Sequence, residues 1–246
     1  MQLNYVTDGT LNGLLSALFI SFVSNEKPIK VFGTGVYQPL LAVKNIRIRT
    51  ADEQSKRVAN ALLKYGGDDI LARLRVCMAS CEEDALTVAF YFAYATLEGR
   101  KNVINNLSDK RVTDFIFIEQ KVLVEKHHVK GFLRFEETER GVLYARYSPD
   151  NDITELVAPH FLRRLNGIPF VIHDLKRKKI AISNGKEIKL FATNLDTHLE
   201  KSNDEEAFNN LWKIYYKEVT IKERINPKYQ DRVLPRRYRK YMPETW

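Results

Sequence analysis

The sequence is poor in cysteine and has no long apolar run. Its two cysteines, Cys77 and Cys81, lie four positions apart in a segment of helical pattern, where the backbone geometry is poor for a disulfide. They also lack the further Cys or His ligands that a zinc site or an iron–sulfur cluster requires. The longest apolar stretch, Leu14 to Val23, is interrupted by Ser16 and Ser21 and falls short of the roughly 18 residues that cross a membrane. We therefore expect a soluble, cytoplasmic protein with no metal, no cofactor and no membrane contact.

The sequence also lacks the common catalytic and nucleotide-binding motifs. It contains no Gly-x-Gly-x-x-Gly, Walker-type, Gly-x-Ser-x-Gly or His-Glu-x-x-His pattern. His160 and the adjacent pair His173 and Asp174 are the residues that could perform acid/base chemistry. Neighbouring residues on a strand point to opposite faces, so Asp174 can orient His173 only if the strand ends there. His160 has the helical spacing of an interface residue, and packing is the alternative to catalysis.

At 246 residues, the chain is long enough for two lobes. We predict a mainly helical N-terminal lobe over residues 1–128 and an α+β lobe over residues 129–246. Apolar residues three and four positions apart predict helices at about 11–22, 51–65, 68–78, 83–97 and 108–128. Strands are predicted at 2–6 and, from alternation, at 43–49. Thr50 and Glu53 have the spacing of a capping box, which would open the second of these helices.

The pattern of the second lobe is ββαββ, which indicates an antiparallel sheet followed by C-terminal helices. Phe132 to Glu136 and Val142 to Tyr147 alternate as a first hairpin, and Phe170 to Asp174 and Ile180 to Ser183 as a second. A helix with an apolar inner side separates the hairpins. Further helical patterns run from about 204 to 219 and begin again at the prolines of residues 227 and 235.

Aromatic and basic residues concentrate in this second lobe. On the first hairpin, Phe132, Arg134, Tyr144 and Arg146 would share one sheet face, although helices of the first lobe could instead cover that face. From Leu211 to Trp246, ten Lys or Arg are interleaved with aromatic rings and face four acids. Cations between planar rings suit phosphates and bases, whereas a solvated, Lys-rich surface is the alternative.

Three basic segments and the sheet face together predict a nucleic-acid-binding surface. Its predicted residues are Phe132, Arg134, Tyr144, Arg146, Arg163, Arg164, Lys176, Arg177, Lys178, Lys179, Arg224, Arg236, Arg237, Tyr238, Arg239 and Tyr241. Because these segments are separate in sequence and agree in charge, we expect a DNA or RNA partner.

Several short phrases resemble a family of domains of unknown function whose full-length members are called probable DNA metabolism proteins. They are Gly131-Phe132-Leu133-Arg134-Phe135, Tyr144-Ala145-Arg146, Ala158-Pro159-His160-Phe161-x-x-Arg164, Ile172-His173-Asp174, Glu223-Arg224-x-Asn226-Pro227 and Leu234-Pro235-Arg236-Arg237-Tyr238. The likeness extends over the whole chain through Asp8-Gly9-Thr10 and Val36-Tyr37-Gln38-Pro39.

The resemblance implies a role in DNA repair or modification. Members of the family are typically encoded beside a radical-SAM protein, and their second half is also fused to uracil-DNA-glycosylase-like domains. The radical-SAM cluster would belong to the partner, because Cys77 and Cys81 have the first spacing of the Cys-x3-Cys-x2-Cys signature and no third cysteine follows.

The main hypothesis is a nucleic-acid-binding accessory protein, acting on DNA with a radical-SAM partner. The second hypothesis is an enzyme on nucleic acid, glycosylase-like or hydrolytic, that uses His160, His173 and Asp174. A third is a protein–protein adaptor whose basic tail docks on an acidic partner.

Overall fold

A computed structural model describes residues 2–34, 43–139, 141–193, 228–229, 234 and 236–242, except for the side chain of residue 237. The chain divides into two compact units, Met1–Leu123 and Val124–Trp246. The class is mixed α and β, with a helical N-terminal region and a strand-rich C-terminal part, which confirms the predicted fold class. The boundary after residue 128 stays a prediction.

The N-terminal unit contains a parallel sheet of three strands, two of which lie where the sequence predicts strands, at 2–6 and 43–49. Its elements are β1 (Leu3–Thr7), α1 (Leu11–Ser24), β2 (Val31–Gly33) and β3 (Lys44–Arg47). The sheet order is β2-β1-β3, and β1 is parallel to both neighbours and buried along its length. Helix α1 begins after Thr10, because the Thr10 hydroxyl accepts a hydrogen bond of 3.0 Å from the backbone N–H of Gly13.

Four helices follow β3, and the last of them extends past residue 123. They are α2 (Asp52–Gly66), α3 (Ile70–Met78), α4 (Ala85–Gly99) and α5 (Lys110–Phe132), close to the predicted spans. The predicted capping box is wrong. Ala51 is the N-cap of α2 and gives it no side-chain hydrogen bond, because the Thr50 hydroxyl instead donates to the Asp8 carboxylate at 2.7 Å.

The core of the N-terminal unit combines buried residues of β1 and β2 with those of helices α1 to α5. The rings of Phe92 and Phe115 stack 3.8 Å apart, and both side chains are buried. At the edge of this core, the Arg73 guanidinium donates to both carboxylate oxygens of Glu119, at 2.9 and 2.5 Å. Glu119 is therefore a buried acid that is neutralised within its own unit.

The C-terminal unit is built on a five-stranded sheet. Its elements are β4 (Glu136–Glu137), β5 (Leu143–Tyr147), α6 (Thr154–Leu165), β6 (Phe170–Asp174), β7 (Lys179–Ser183), β8 (Ile188–Ala192) and the single-turn helix α7 (Arg236–Arg239). The strands follow their sequence order, β4 to β8. The two predicted hairpins and the helix between them are present, and β8 was not predicted.

Two details of the predicted sheet need correction. The sheet is not wholly antiparallel, because β5 and β6 pair in parallel and α6 makes the crossover that a parallel pair needs. The first hairpin is also shorter than predicted, because α5 extends to Phe132 and leaves only two residues in β4.

Alternation along the strands separates the two faces of this sheet. One face packs against α6, where the Tyr147 hydroxyl lies 2.9 Å from the Thr154 hydroxyl and Phe170 contacts the core through Phe135 and Phe161. We call the opposite face the outer face. It carries Glu136, Tyr144, Arg146, Val171, His173, Ile180, Ile182, Lys189 and Phe191.

Some predictions fall outside the described residues, namely the helix at 204–219, the turn at 226–227 and Arg224. No helix within the described ranges is both long enough and apolar enough to span a membrane.

Candidate nucleic-acid interface

The outer face brings three predicted residues together on two neighbouring strands. Strand β5 places Tyr144 and Arg146 on this face, and strand β6 places His173 directly opposite Arg146 in the parallel register. Residues paired in this way point to the same side of a sheet. The sequence prediction that Tyr144 and Arg146 share a face therefore holds in the structure, and His173 joins them.

Tyr144 and His173 form a buried polar pair. The Tyr144 hydroxyl lies 2.8 Å from His173 Nδ1, and the tautomer of the imidazole decides which atom donates. The two residues are 8% and 3% exposed. Burial raises the pKa of Tyr144, and the nearby charge of Arg146 acts in the other direction. Tyr144 thus stays protonated at neutral pH and can serve as a hydrogen-bond donor.

Arg146 lies among aromatic rings and forms no ion pair with an acid of the described residues. It is half-buried and shares with the rings of Phe132, Tyr238 and Tyr241 the lining of a cavity of about 10 Å3, which holds about one water at most. In the part of the chain that the structure describes, Arg146 makes no hydrogen bond and no ion pair. The Arg146 side chain is therefore packed against aromatic rings and lacks a counter-ion among the described residues.

The aromatic residues around Arg146 are themselves fixed. The Phe132 and Tyr238 rings lie 6.2 Å apart, and the Tyr241 hydroxyl lies 2.9 Å from the Ser148 hydroxyl. The strand predicted for Phe132 is wrong, since Phe132 is the last residue of α5. It nevertheless lies beside Arg146. Helix end, strand and C-terminal turn thus converge on one arginine.

Glu125 is the organising residue that the sequence reasoning missed. One carboxylate oxygen accepts from the Tyr238 hydroxyl at 2.5 Å and from the backbone N–H of Asp150, and the other accepts from the backbone N–H and side-chain amide of Asn151. Burial acts to raise the pKa of Glu125, but these hydrogen bonds outweigh it and hold the pKa below its ordinary value. Glu125 thereby ties α5 to α7 and to the loop before α6.

A signal for Glu125 is present in the sequence. The apolar stripe of α5 runs through Ile118, Val122 and Val129, all buried, and position 125 lies at the same helical spacing. An acid in that stripe must be neutralised by hydrogen bonds when it is buried.

The basic β6–β7 turn uses most of its charge internally. Buried Asp174 accepts from the backbone N–H groups of Lys176 and Arg177, and the Arg177 guanidinium donates to the same carboxylate at 3.2 Å. Lys179 pairs with Asp152 at 2.5 Å. Among the described residues, Lys178 is the one cation of this turn that makes no hydrogen bond or ion pair. Asp174 therefore has a structural role in the turn, and nucleic-acid binding by these four cations stays a prediction.

His160, Arg163 and Arg164 lie on α6, away from His173. Helix α6 packs on the face of the sheet that carries Tyr147 and Phe170, whereas His173 points to the outer face. The structure therefore does not bring His160 together with His173 and Asp174 into one acid/base site.

The remaining predicted cations lie near the ends of helices. The Arg134 guanidinium donates to the carbonyl oxygen of Gly131 at 2.7 Å, in the last turn of α5. Arg236 and Arg239 belong to α7. Arg224 and the side chain of Arg237 lie outside the described residues.

The cysteines do not point to a metal site. Burial raises the pKa of the Cys77 thiol to about 12, which keeps it protonated, and Cys81 is exposed. Within the described ranges, no cluster of three or more His, Cys, Asp or Glu could hold a metal ion.

Comparison with known protein families identifies the larger part of the chain. Residues 83–244 match the model of the domain of unknown function DUF4130, and the chain therefore belongs to that family. The match includes the whole sheet of the C-terminal unit together with α4, α5 and α7. No curated protein matches the chain significantly.

Proposed function

We propose that this member of the DUF4130 family is a nucleic-acid-binding accessory protein that holds DNA for a repair or modification enzyme. The observation that carries this proposal is Arg146, a half-buried arginine without an acidic partner among the described residues, packed against aromatic rings on the outer face. Taking a guanidinium partly out of water costs free energy unless an anion neutralises it. A phosphate group satisfies this requirement and matches the geometry of arginine.

The surroundings of Arg146 suit a nucleic acid better than a free anion. Phe191 lies in the same cross-strand row as Arg146 and His173, on the edge strand β8, and 47% of its surface is exposed. An exposed ring in line with a cation offers a base a stacking partner while the cation contacts the adjoining phosphate. The charge of the unit acts in the same sense, since residues 124–246 contain 24 Lys or Arg against 18 Asp or Glu.

DNA as the substrate and a radical-SAM protein as the partner rest on the sequence resemblance. In that family the neighbouring gene encodes a radical-SAM protein, and the second half is fused elsewhere to uracil-DNA-glycosylase-like domains. We place the protein in the cytoplasm, where free thiols such as Cys77 and Cys81 persist. Size-exclusion chromatography of the two mixed proteins, with and without DNA, tests the partnership. Separate elution under both conditions contradicts it.

Fluorescence anisotropy with a labelled oligonucleotide over a salt series tests binding directly. We expect Arg146→Gln to weaken binding by about tenfold, the value of one charged hydrogen-bonded contact, and to lower the slope of log K against log salt by about one. Arg75→Gln is the matched control, because Arg75 is exposed on α3 and carries the same charge. Equal affinity of wild type and Arg146→Gln at every salt concentration would contradict the proposal.

The Tyr144–His173 pair supports the second hypothesis, an enzyme on nucleic acid. A buried hydroxyl at 2.8 Å from an imidazole nitrogen can pass a proton, although His160 and Asp174 do not share its site. Base release or strand cleavage by the purified chain, abolished in His173→Gln, would favour this function over the accessory role.

A further inference from the structure

A second group of cations lies on two helices of the C-terminal unit. On α5, Lys126 and Lys130 are separated by four positions, and on α6 His160 is followed by Arg163 and Arg164. Residues three or four positions apart share one face of a helix. Each helix therefore presents one compact basic face, and we call these five residues the α5–α6 basic cluster.

The charges of the cluster act on one another across the two helices. Burial lowers the pKa of His160, and the charges of Lys130, Arg164 and Arg163 lower it further. Burial likewise lowers the pKa of Lys126, with added effect from Lys130 and Arg163. The rings of Phe135, three residues after the end of α5, and of Phe161 on α6 lie 5.1 Å apart. The end of α5 therefore lies beside α6, and the charges that lower the pKa of His160 and of Lys126 are all positive.

The cluster has no acidic partner in the described part of the chain. Lys126, Lys130, Arg163 and Arg164 form no ion pair and no hydrogen bond there. The four permanent charges and the neutral imidazole of His160 therefore form an unbalanced positive surface.

Helix dipoles do not account for so much charge. Lys130 lies in the last turn of α5, and Arg163 and Arg164 lie in the last turn of α6, where cations are favourable. Each helix end is equivalent to about half a negative charge, so two ends offset roughly one of the four positive charges. About three charges remain for a ligand.

We propose that the α5–α6 basic cluster is a phosphate-binding site that takes the sugar–phosphate backbone of the nucleic acid. Lysine ammonium and arginine guanidinium groups are the usual partners of phosphate oxygens, and their number here suits a chain of phosphates better than a single anion. The inference rests on the proposed function. The inference goes beyond the proposed function because it names a second contact region. This region lies on two helices and binds phosphate groups, not bases.

The ring of His160 is a built-in reporter for this site. A bound phosphate offsets the neighbouring positive charges and must raise the pKa of His160. We would follow the His160 resonance by NMR against pH in the full chain, identified by its loss in His160→Gln. Inorganic phosphate should shift the titration upward, whereas chloride at the same ionic strength should produce a much smaller shift.

Variants and a second ligand make the test specific. Lys130→Gln combined with Arg163→Gln should abolish most of the phosphate-dependent shift, while Arg75→Gln, which removes an exposed cation of α3, should leave it intact. A short oligonucleotide should produce the same upward shift as phosphate, and the double variant should lower the salt slope of DNA binding by about one per lost contact.

The possible negative results distinguish failure of the phosphate site from failure of the proposed function. Equal shifts with phosphate and chloride overturn the site. A response to phosphate or to a poly-aspartate peptide, but not to the oligonucleotide, overturns the assignment to nucleic acid. If the oligonucleotide binds through Arg146 while His160 does not respond, this inference fails and the proposed function stands. If no oligonucleotide binds at any salt concentration, the proposed function fails first.

Discussion

The cations in the two halves of helix α5 differ in whether they form ion pairs. In the half that belongs to the N-terminal unit, Lys110 pairs with Asp114, Arg111 pairs with Asp109 and Glu98, and Lys121 pairs with Glu82. In the half that belongs to the C-terminal unit, Lys126 and Lys130 have no acidic partner among the described residues. One continuous helix thus passes from ion-paired cations to cations without an acidic partner among the described residues, which are the ones we propose for the phosphate site.

The buried carboxylates of α5 show the same contrast. The Arg73 guanidinium donates to Glu119, whereas the Tyr238 hydroxyl and the Asn151 side-chain amide donate to Glu125. The ion pair of Glu119 lies within the N-terminal unit, and these hydrogen bonds of Glu125 lie within the C-terminal unit.

Removing the charge of Glu125 should cause the largest loss of stability among the variants considered. Glu125→Gln should lower the free energy of unfolding by about 2–4 kcal/mol, because it weakens several hydrogen bonds to a buried charged group at once. Urea denaturation measures the change. Glu187→Gln is the matched control, since Glu187 is exposed and its loss should cost less than about 0.5 kcal/mol. Similar losses in both variants would show that Glu125 does not organise the unit.

The pH dependence of stability is a second test of the contribution of the Glu125 carboxylate. Because the folded state lowers the pKa of Glu125, its stabilising contribution is complete above the ordinary glutamate pKa of about 4.3 and is lost as the pH falls through the lower folded value. The stability difference between wild type and Glu125→Gln should therefore shrink below about pH 4. Burial raises the pKa of Asp174, but Asp174 is present in both proteins and cancels in the difference. Urea midpoints at pH 7 and pH 3.5 measure it, and a constant difference would contradict the assignment.

The β6–β7 turn contains two neighbouring cations, of which Arg177 is ion-paired and Lys178 forms no ion pair among the described residues. Arg177→Gln should cost about 1–3 kcal/mol, because it removes the side-chain partner of the fully buried Asp174. Lys178→Gln should change the stability by less than about 0.5 kcal/mol. Thermal or urea unfolding separates the two. If the turn binds DNA as the sequence predicts, Lys178→Gln should nevertheless weaken binding, and an unchanged affinity would remove the turn from the interface.

Local patterns predicted most of the elements of the fold. Helices α1 to α6 and strands β1, β3 and β5 to β7 lie close to the spans predicted from local spacing and alternation. Strand β2 was missed, since it spans only Val31–Gly33 and pairs with β1 through its backbone. The parallel pairing of β5 and β6 also depends on a crossover, which no local pattern contains.

The candidate site was predicted less completely. The shared face of Tyr144 and Arg146 follows from alternation, and the basic character follows from composition. Which cations are paired could not be predicted, because Arg177 and Lys179 find Asp174 and Asp152 only after the strands are assembled. The sequence predicts the same binding role for all four cations of the turn, whereas the tertiary structure pairs some of them with acids.

Two lysine variants compare the two halves of α5 directly, and their effects on the free energy of unfolding should be small. Lys121 pairs with Glu82 at 2.6 Å and lies over the ring of Phe117, so Lys121→Gln should lower the free energy of unfolding by about 0.5 kcal/mol. Lys126 is half-buried and is repelled by Lys130 and Arg163, so Lys126→Gln should leave the stability unchanged or raise it by a few tenths of a kcal/mol. Both variants remove one lysine from the same helix and have similar helix propensity. Their difference, measured by urea denaturation in low salt and again at 0.5 M salt, should vanish at the higher salt because the interactions are screened. If Lys126→Gln is the more destabilising variant, the cations of the second half of α5 are stabilising the fold and are not being held for a ligand.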